Sequence, residues 1–388
     1  MKKILIVMPS ILPIPAVYGG AVAQLIESIL KENEKKKCLD ISVFTNLPSK
    51  AKKATEHYPS CTFIGLKESP LFLLDKFFFR SKNIIRKLFV VRQVQRLLQK
   101  ADYDAVVLEN SGYLLKIFKK EILLQKYKDR IYYHLHNDVP SNIDVNILKR
   151  CILMLVSGYL KKKVDDLVGV GADMEYHVVK NGINAELFSK RLSSQQIVEM
   201  KKELGIPEES RVLIFVGRIT PEKGLDKILE VLKQLNDEKV VLVVVGSSCF
   251  GLKIHSEYER KIINQCEKMK QKIYFVGFVH NTLLWKYYNM ADIAVLPSIW
   301  EEPAGLTMVE SAMSGTPVIT TKAGGIPEYM SSPMAILLDR DENLSQNISD
   351  NVKKILYDKR ESYEVLAKVY QERFSTETMY KEFVKALE

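Results

Sequence analysis

The chain has 388 residues, 47% hydrophobic and 27% charged, which is the profile of a soluble globular protein long enough for two cores. Its five cysteines (Cys38, Cys61, Cys151, Cys249 and Cys266) are scattered and nowhere spaced as CxxC, arguing against a disulfide framework or a structural zinc site and for a reducing compartment. The net charge of +10 is uneven: residues 1–175 hold 29 Lys/Arg and 18 Asp/Glu (+11), the remainder 28 and 29 (−1), so the first half is the one suited to an anionic partner such as acidic lipid or nucleic acid.

The chain opens with MKKILIVMPSILPIP. Two lysines before an apolar run raise a signal peptide, but Pro9, Pro13 and Pro15 break the run and no small-residue cleavage site follows, so a buried first strand is expected. Strands are then expected at Lys3–Met8, Ile41–Thr45, Ala105–Glu109, Ile131–His136 and Leu167–Val170. A second series follows at Val212–Val216, Val240–Val245, Ile273–Val276, Ile293–Leu296, Val318–Thr321 and Ala335–Leu338. Runs such as VVLVVVG are apolar on both faces, as in parallel strands covered on both sides, and helical stretches lie between them. The expected fold is therefore α/β, with two Rossmann-like doubly wound parallel-sheet domains facing across a cleft. The polar stretch LFSKRLSSQQ sets the boundary: residues 1–190 form the first domain, 191–371 the second, and 372–388 a terminal helix whose return to the first domain is open. No apolar stretch approaches the roughly 20 residues of a spanning helix.

In such sheets ligands bind beyond the carboxyl ends of the strands. After the first strand, Gly19 and Gly20 precede a helix, where glycines let backbone N–H groups approach an anion; an ordinary turn reads equally well. No GxGxxG is present, which disfavours a nicotinamide oxidoreductase. In VLIFVGRITPEKG a strand runs into Gly217 and Arg218, with Lys223-Gly224 beyond a short loop; an arginine fork and a lysine point charge suit a diphosphate. In PSIWEEPAGLTMVESAMSGTPVITT, Glu302 and Glu310 stand eight positions apart. A helix starting at Gly305 or Leu306 would offer the amides of Ala304, Gly305 and Leu306 to a phosphate, with carboxylates beside it to accept bonds from sugar hydroxyls.

The ordered blocks GRITPEKG, FVGF, ADIAVLPS, Glu302-PAGLTMV-Glu310 and SGTPVI resemble the family 4 retaining glycosyltransferases of GT-B fold. The match is densest over 212–330 and looser over His134-Leu-His136-Asn and Asn181-Gly182-Ile183-Asn184. The resemblance implies that Arg218 and Lys223 bind the donor diphosphate and Glu310 the ribose. It gives Glu302, with the amides of Ala304 to Leu306, the donor sugar and distal phosphate. Gly19 and Gly20 would approach from the other domain, His136 would sit near the reacting centre, and Phe278 and Val279 would line the base pocket. It further implies front-face transfer with retention and no cofactor or required metal; Asp102-Tyr103-Asp104, which mimics a DxD metal motif, reads as a solvated loop. The donor would be a nucleotide-sugar, UDP by family habit, and the acceptor a glycan or lipid-linked saccharide in cell-surface polysaccharide synthesis. Two departures stand out: Ala304 replaces a bulkier residue, and Gly171 stands where a serine opens a helix, so that this helix is expected to be short or missing.

Residues 67–100 hold nine Lys/Arg and two Asp/Glu, with Leu73, Leu74, Phe77, Phe78, Ile84, Leu88, Val91 and Val94 at near-helical spacing. This suits an interfacial helix on anionic lipid as well as a packing helix with a basic face. The expectation is a cytoplasmic protein with peripheral contact at the inner membrane face. A sugar-nucleotide epimerase would use the same cleft without an acceptor. A nucleic-acid-binding protein is suggested by charge alone, with no recognised motif, so no nucleic-acid partner is expected.

Overall fold

The structure is a computed structural model and describes residues 1–9, 12–67, 69, 84–140, 143–169, 174–247, 256–357 and 363–388. It divides into two units, Met1–Gly182 with Thr376–Glu388, and Ile183–Ser375.

The first unit is built on β1 (Lys2–Val7), β2 (Leu39–Thr45), β3 (Cys61–Gly65), β4 (Ala105–Glu109), β5 (Ile131–Leu135), β6 (Ile152–Leu155) and β7 (Tyr176–Val178). All pair in parallel, in the order β3-β2-β1-β4-β5-β6-β7. β4 and β5 are buried along their whole lengths, so each of their apolar side chains contributes roughly 1.5–3 kcal/mol of burial. The strand expected at Leu167–Val170 is not one. Leu167 and Val168 end the helix Gly158–Val168, and Val170 and Gly171 lie outside the described residues. The period decides it: Leu160, Val164 and Val168 are buried at four-residue spacing, the repeat of one helix face. Ser157 precedes that helix, whereas among the described residues 174–180, beyond Gly171, there is no helix and Tyr176–Val178 forms β7.

The C-terminal stretch is two helices, Glu364–Arg373 and Thr376–Ala386, rather than one from residue 372. The last helix belongs to the first unit. There Tyr380 donates to Asn33 at 2.6 Å, Thr376 to Glu32 at 3.2 Å, and the Lys180 amide to Glu382 at 2.8 Å.

The second unit holds β8 (Arg211–Val216), β9 (Val240–Val245), β10 (Ile273–Gly277), β11 (Ile293–Leu296), β12 (Val318–Thr321) and β13 (Ala335–Leu338), all parallel in the order β10-β9-β8-β11-β12-β13. β9 is buried at every position. The helix Leu225–Leu235 covers the sheet with Leu225, Ile228, Leu229, Val231 and Leu232, the i, i+3, i+4, i+7 stripe of an amphipathic helix. Each sheet reverses its strand order once, beside β1 in the first unit and beside β8 in the second, and there the carboxyl ends of neighbouring strands open a crevice.

Candidate donor site of the second unit

β8 leads into Gly217, whose amide is held by Val245 O at 3.0 Å. Arg218 follows, half exposed, its guanidinium 3.4 Å from Glu222. The turn Pro221–Lys223 ends at Gly224, which takes the left-handed conformation (φ +70°) and opens the helix Leu225–Leu235. A Cβ at Gly224 would stand 2.3 Å from the Pro297 carbonyl oxygen just past β11, so only glycine lets these two strand mouths approach so closely.

Across that approach Lys223 forms an ion pair with Glu302. Ser298 donates to the same carboxylate oxygen at 2.9 Å. The loop carrying Glu302 is held on several sides. The amides of Ile299 and Trp300 donate to Glu222 O at 2.9 and 3.2 Å, and that of Gly325 to Glu302 O at 2.7 Å. Arg340 donates to Ile299 O at 2.8 Å and pairs with Glu301.

The helix expected at Gly305 or Leu306 runs Leu306–Met313, with Gly305 (φ +133°) before it and no side-chain cap. The positive end of the helix dipole and its first amides thus meet no capping oxygen from the protein's own side chains. Ala304 and Gly305 are buried and Leu306 partly so.

Glu310 lies on the second turn of this helix, 5% exposed. Asn281 donates to its Oε1 at 3.2 Å, and the Tyr288 hydroxyl lies 3.3 Å from Oε2 and 3.0 Å from Thr307 O. Burial drives the carboxyl up to about 7, against the opposing pull of Asn281 and Tyr288. A buried carboxylate with two neutral partners among the described residues keeps unused acceptor capacity. Asn281 begins the helix Asn281–Met290, and half-exposed Phe278 and Val279 lie in the short segment between β10 and that helix.

Gly19, Gly20 and His136 lie in the first unit. Gly19 (φ +74°) and Gly20 (φ +98°) lead into the helix Ala21–Lys36. His136, just after β5, is 5% exposed. Its Nε2 lies 3.1 Å from Glu109 Oε2 and its Nδ1 3.3 Å from Asn181 Oδ1, while His134 Nδ1 lies 3.2 Å from Glu109 Oε1. Both ring nitrogens of His136 are therefore engaged within the unit. Burial, then His134, pushes the His136 imidazolium toward deprotonation. Burial also opposes ionisation of Glu109, but the two imidazoles outweigh it and hold the carboxyl down at about 2. One carboxylate oxygen and two imidazole nitrogens here lie within 4.8 Å of one another, a donor set suited to a divalent transition ion; in the structure both histidines hydrogen-bond Glu109, while the buried His134 Nε2 meets no partner among the described residues. At the DxD look-alike, Asp104 accepts from the Lys3 amide at 2.7 Å and Asp102 lies 3.4 Å from Arg130.

The structure thus gathers Gly217, Arg218, Lys223, Glu302, Ala304, Gly305, Leu306 and Glu310, with Phe278 and Val279, at the carboxyl edge of one sheet. Sequence reasoning missed Ser298, Asn281, Tyr288, Glu301 and Arg340 there, and Glu109 in the first unit.

Residues 196–373 match the profile of glycosyl transferases group 1. That match spans nearly the whole of the second unit. An uncharacterized glycosyltransferase of Methanocaldococcus jannaschii is 30% identical over 226 residues, covering 54% of this chain and 56% of its own. The lipopolysaccharide 1,2-N-acetylglucosaminetransferase of Salmonella typhimurium is 25% identical over 259 residues, 66% of this chain and 64% of its own. These matches take in less than two thirds of either relative's length. The Anabaena protein HepE, in a crystal structure with UDP-glucose, superposes with a TM-score of 0.73 over 100% of this chain and 99% of its own at 21% identity. Sucrose-phosphate synthase from Thermosynechococcus elongatus gives 0.73 over 99% and 98% at 18% identity. Each unit is a Rossmann-like parallel-sheet domain, and the two make up the GT-B fold. No helix among the described residues is long and apolar enough to cross a membrane.

Proposed function

We propose that the chain transfers a sugar from a nucleoside-diphosphate donor, a UDP-sugar, with retention of anomeric configuration, to a glycan or lipid-linked saccharide in cell-surface polysaccharide synthesis. The observation that carries this reading is the gathering of Arg218, Lys223, the uncapped helix start at Gly305 and the two glutamates at one sheet edge of a group 1 domain. Arg218 and Lys223 take the diphosphate, and the amides of Ala304 to Leu306 take its distal phosphate with the dipole of their helix. Glu310 accepts the ribose hydroxyls, between Phe278 and Val279 at the base and Glu302 at the donor sugar. As the glycosidic bond to the diphosphate breaks, negative charge grows on the leaving oxygen, where the cations and the helix start stabilise it most. The leaving diphosphate takes the acceptor's proton on the same face. These groups supply positive charge themselves, so no metal is invoked. Gly19, Gly20 and His136 stand as candidate contacts contributed by the first unit. The HepE complex with UDP-glucose and the Salmonella transferase support the donor and acceptor classes. We place the enzyme in the cytoplasm, at the inner face of the membrane.

The test is thermal stabilisation by UDP, GDP, ADP and NAD, then release of the nucleoside diphosphate from the matching sugar donors with and without acceptor. Stabilisation by one nucleoside diphosphate supports the site, since a ligand of the native state raises its melting temperature. Stabilisation by NAD alone would overturn the reading.

A further inference from the structure

The helix Ile84–Lys100 buries Val90, Val91, Val94, Gln95 and Leu98 against the first unit. Every fourth residue, Ile84, Leu88, Arg92, Arg96 and Lys100, forms a ridge away from that buried stripe, and all five are exposed. The helix carries five cations and no acid. Beside it pack the turn Gly112–Lys119 and the helix Glu121–Lys126. Gln95 donates to Ile117 O at 2.9 Å, Lys126 donates to the Leu98 and Ala101 carbonyls at 2.8 Å, and Lys87 stands 5.6 Å over the Tyr113 ring. This neighbour adds exposed Lys116 and Lys120, and Ile122 at 70% exposure.

Nearby acids are few: Asp144 pairs with Lys119 at 3.0 Å, Asp102 lies 3.4 Å from Arg130, and exposed Glu121, beside Lys120, accepts from Gln125 at 2.7 Å. Arg92, Arg96, Lys100, Lys116 and Lys120 form no ion pair with a described residue. The face therefore combines unpaired cations with protruding aliphatic side chains. A polyanion such as RNA would use the cations but has no use for exposed Leu88 and Ile122, and among the described residues no exposed aromatic ring stands on this face. An anionic bilayer uses both, because aliphatic side chains enter below the headgroups while Lys and Arg meet lipid phosphates.

We propose that this face of the first unit, the Ile84–Lys100 ridge with Lys116, Lys120 and Ile122, docks the protein on an anionic lipid bilayer. The inference deepens the reading of a lipid-linked acceptor and rests on it. The test is co-sedimentation of the full chain with phosphatidylcholine vesicles, and with vesicles in which about one third is phosphatidylglycerol, at low salt and at about 0.15 M. Each sample is also scored for stabilisation by UDP. Binding is expected to the anionic vesicles and not to the neutral ones. The double variant R92E/R96E should lower the partition coefficient at least about ten-fold. L88S/I122S should lower it too, by an amount that persists at the higher salt. All variants should keep the UDP shift of the parent protein. The proposal is overturned if the parent ignores anionic vesicles at low salt, if the variants bind as the parent does, or if single-stranded RNA displaces it from the vesicles. Vesicle binding without any UDP shift would leave this surface standing and sink the donor assignment instead.

Discussion

The Lys223 ammonium and the Glu302 carboxylate are ion-paired, although 79 positions separate them in the chain. Ser298 donates to the same oxygen. The pair ties the mouth of β8 to the loop after β11 and places a cation proposed for a diphosphate in competition between that ligand and a carboxylate.

That competition separates the two partners experimentally. Lys223→Met should weaken UDP binding by roughly ten- to a hundred-fold, the worth of a charge-assisted contact. Glu302→Gln releases the lysine, so UDP should bind as well as before or a few-fold more tightly while sugar transfer collapses. Calorimetric titration with UDP, beside a turnover assay, reads both. A Glu302→Gln protein that loses UDP affinity and transfer equally would show that Glu302 holds the nucleotide and not the sugar.

Glu310 makes the second unit sensitive to pH. Its carboxyl rises from 4.5 to about 7 through burial, so the folded state holds the proton more tightly than the unfolded chain. The resulting stability is fully present below pH 4.5 and is lost as pH rises toward 7, on the order of 3 kcal/mol. Glu310→Gln should remove that slope from unfolding midpoints taken across this window. Donor binding should run the opposite way, strengthening as pH rises through 7, because the ionised carboxylate accepts both ribose hydroxyls. A flat UDP affinity from pH 6 to 8 in the parent protein would exclude Glu310 as the ribose acceptor.

Glu109 sets an acid limit on the first unit. The imidazoles of His134 and His136 hold its carboxyl down at about 2, so its contribution is present above 4.5 and disappears as pH falls toward 2. His136 adds to the loss, since its folded form resists the proton that the unfolded chain accepts below its ordinary value of 6.5. Glu109→Gln should cost roughly 3 kcal/mol near neutrality, the scale for stripping one partner from a buried charged cluster. The denaturation midpoints of parent and variant should converge only as pH falls to about 2. Equal midpoints at pH 7 would mean that the cluster carries no net charge interaction.

How these sites were legible differs residue by residue. The strands VLIFV and VVLVVV declare themselves as apolar, β-branched runs covered on both faces, and Glu302 and Glu310 are visible as carboxylates flanking a glycine at a helix start. β3 and β7 are short and lack such runs, and β6 follows a charged stretch without a turn signal, so none of the three was expected. Leu167–Val170 has strand-like residues, yet its burial belongs to the helical repeat that begins at Leu160. Glu109 ends an otherwise apolar strand, and its meaning depends on the pairing of β4 with β5 that sets Glu109 opposite His134. That pairing is non-local and leaves no mark in either segment. Asn281 and Tyr288 are ordinary helix residues until Glu310 is folded against them.

Gly224 and Gly205 offer a controlled measurement of the close approach that shapes the proposed donor site. Both are left-handed, at φ +70° and +71°. A Cβ at Gly205 meets nothing within 4 Å, whereas one at Gly224 meets the Pro297 carbonyl oxygen at 2.3 Å. Gly205→Ala should therefore cost only the ~1–2 kcal/mol of a left-handed residue with a side chain and leave UDP binding intact. Gly224→Ala bears that same cost and must also push the β8 mouth from the end of β11. The shift falls on Lys223, the adjoining residue, and on the loop that carries Glu302, so stability and UDP affinity should drop together and beyond the Gly205→Ala values. Melting temperatures and UDP titrations of the two variants, side by side, make the comparison. If Gly224→Ala behaves like Gly205→Ala in both, the contact between these strand mouths does not position the donor site.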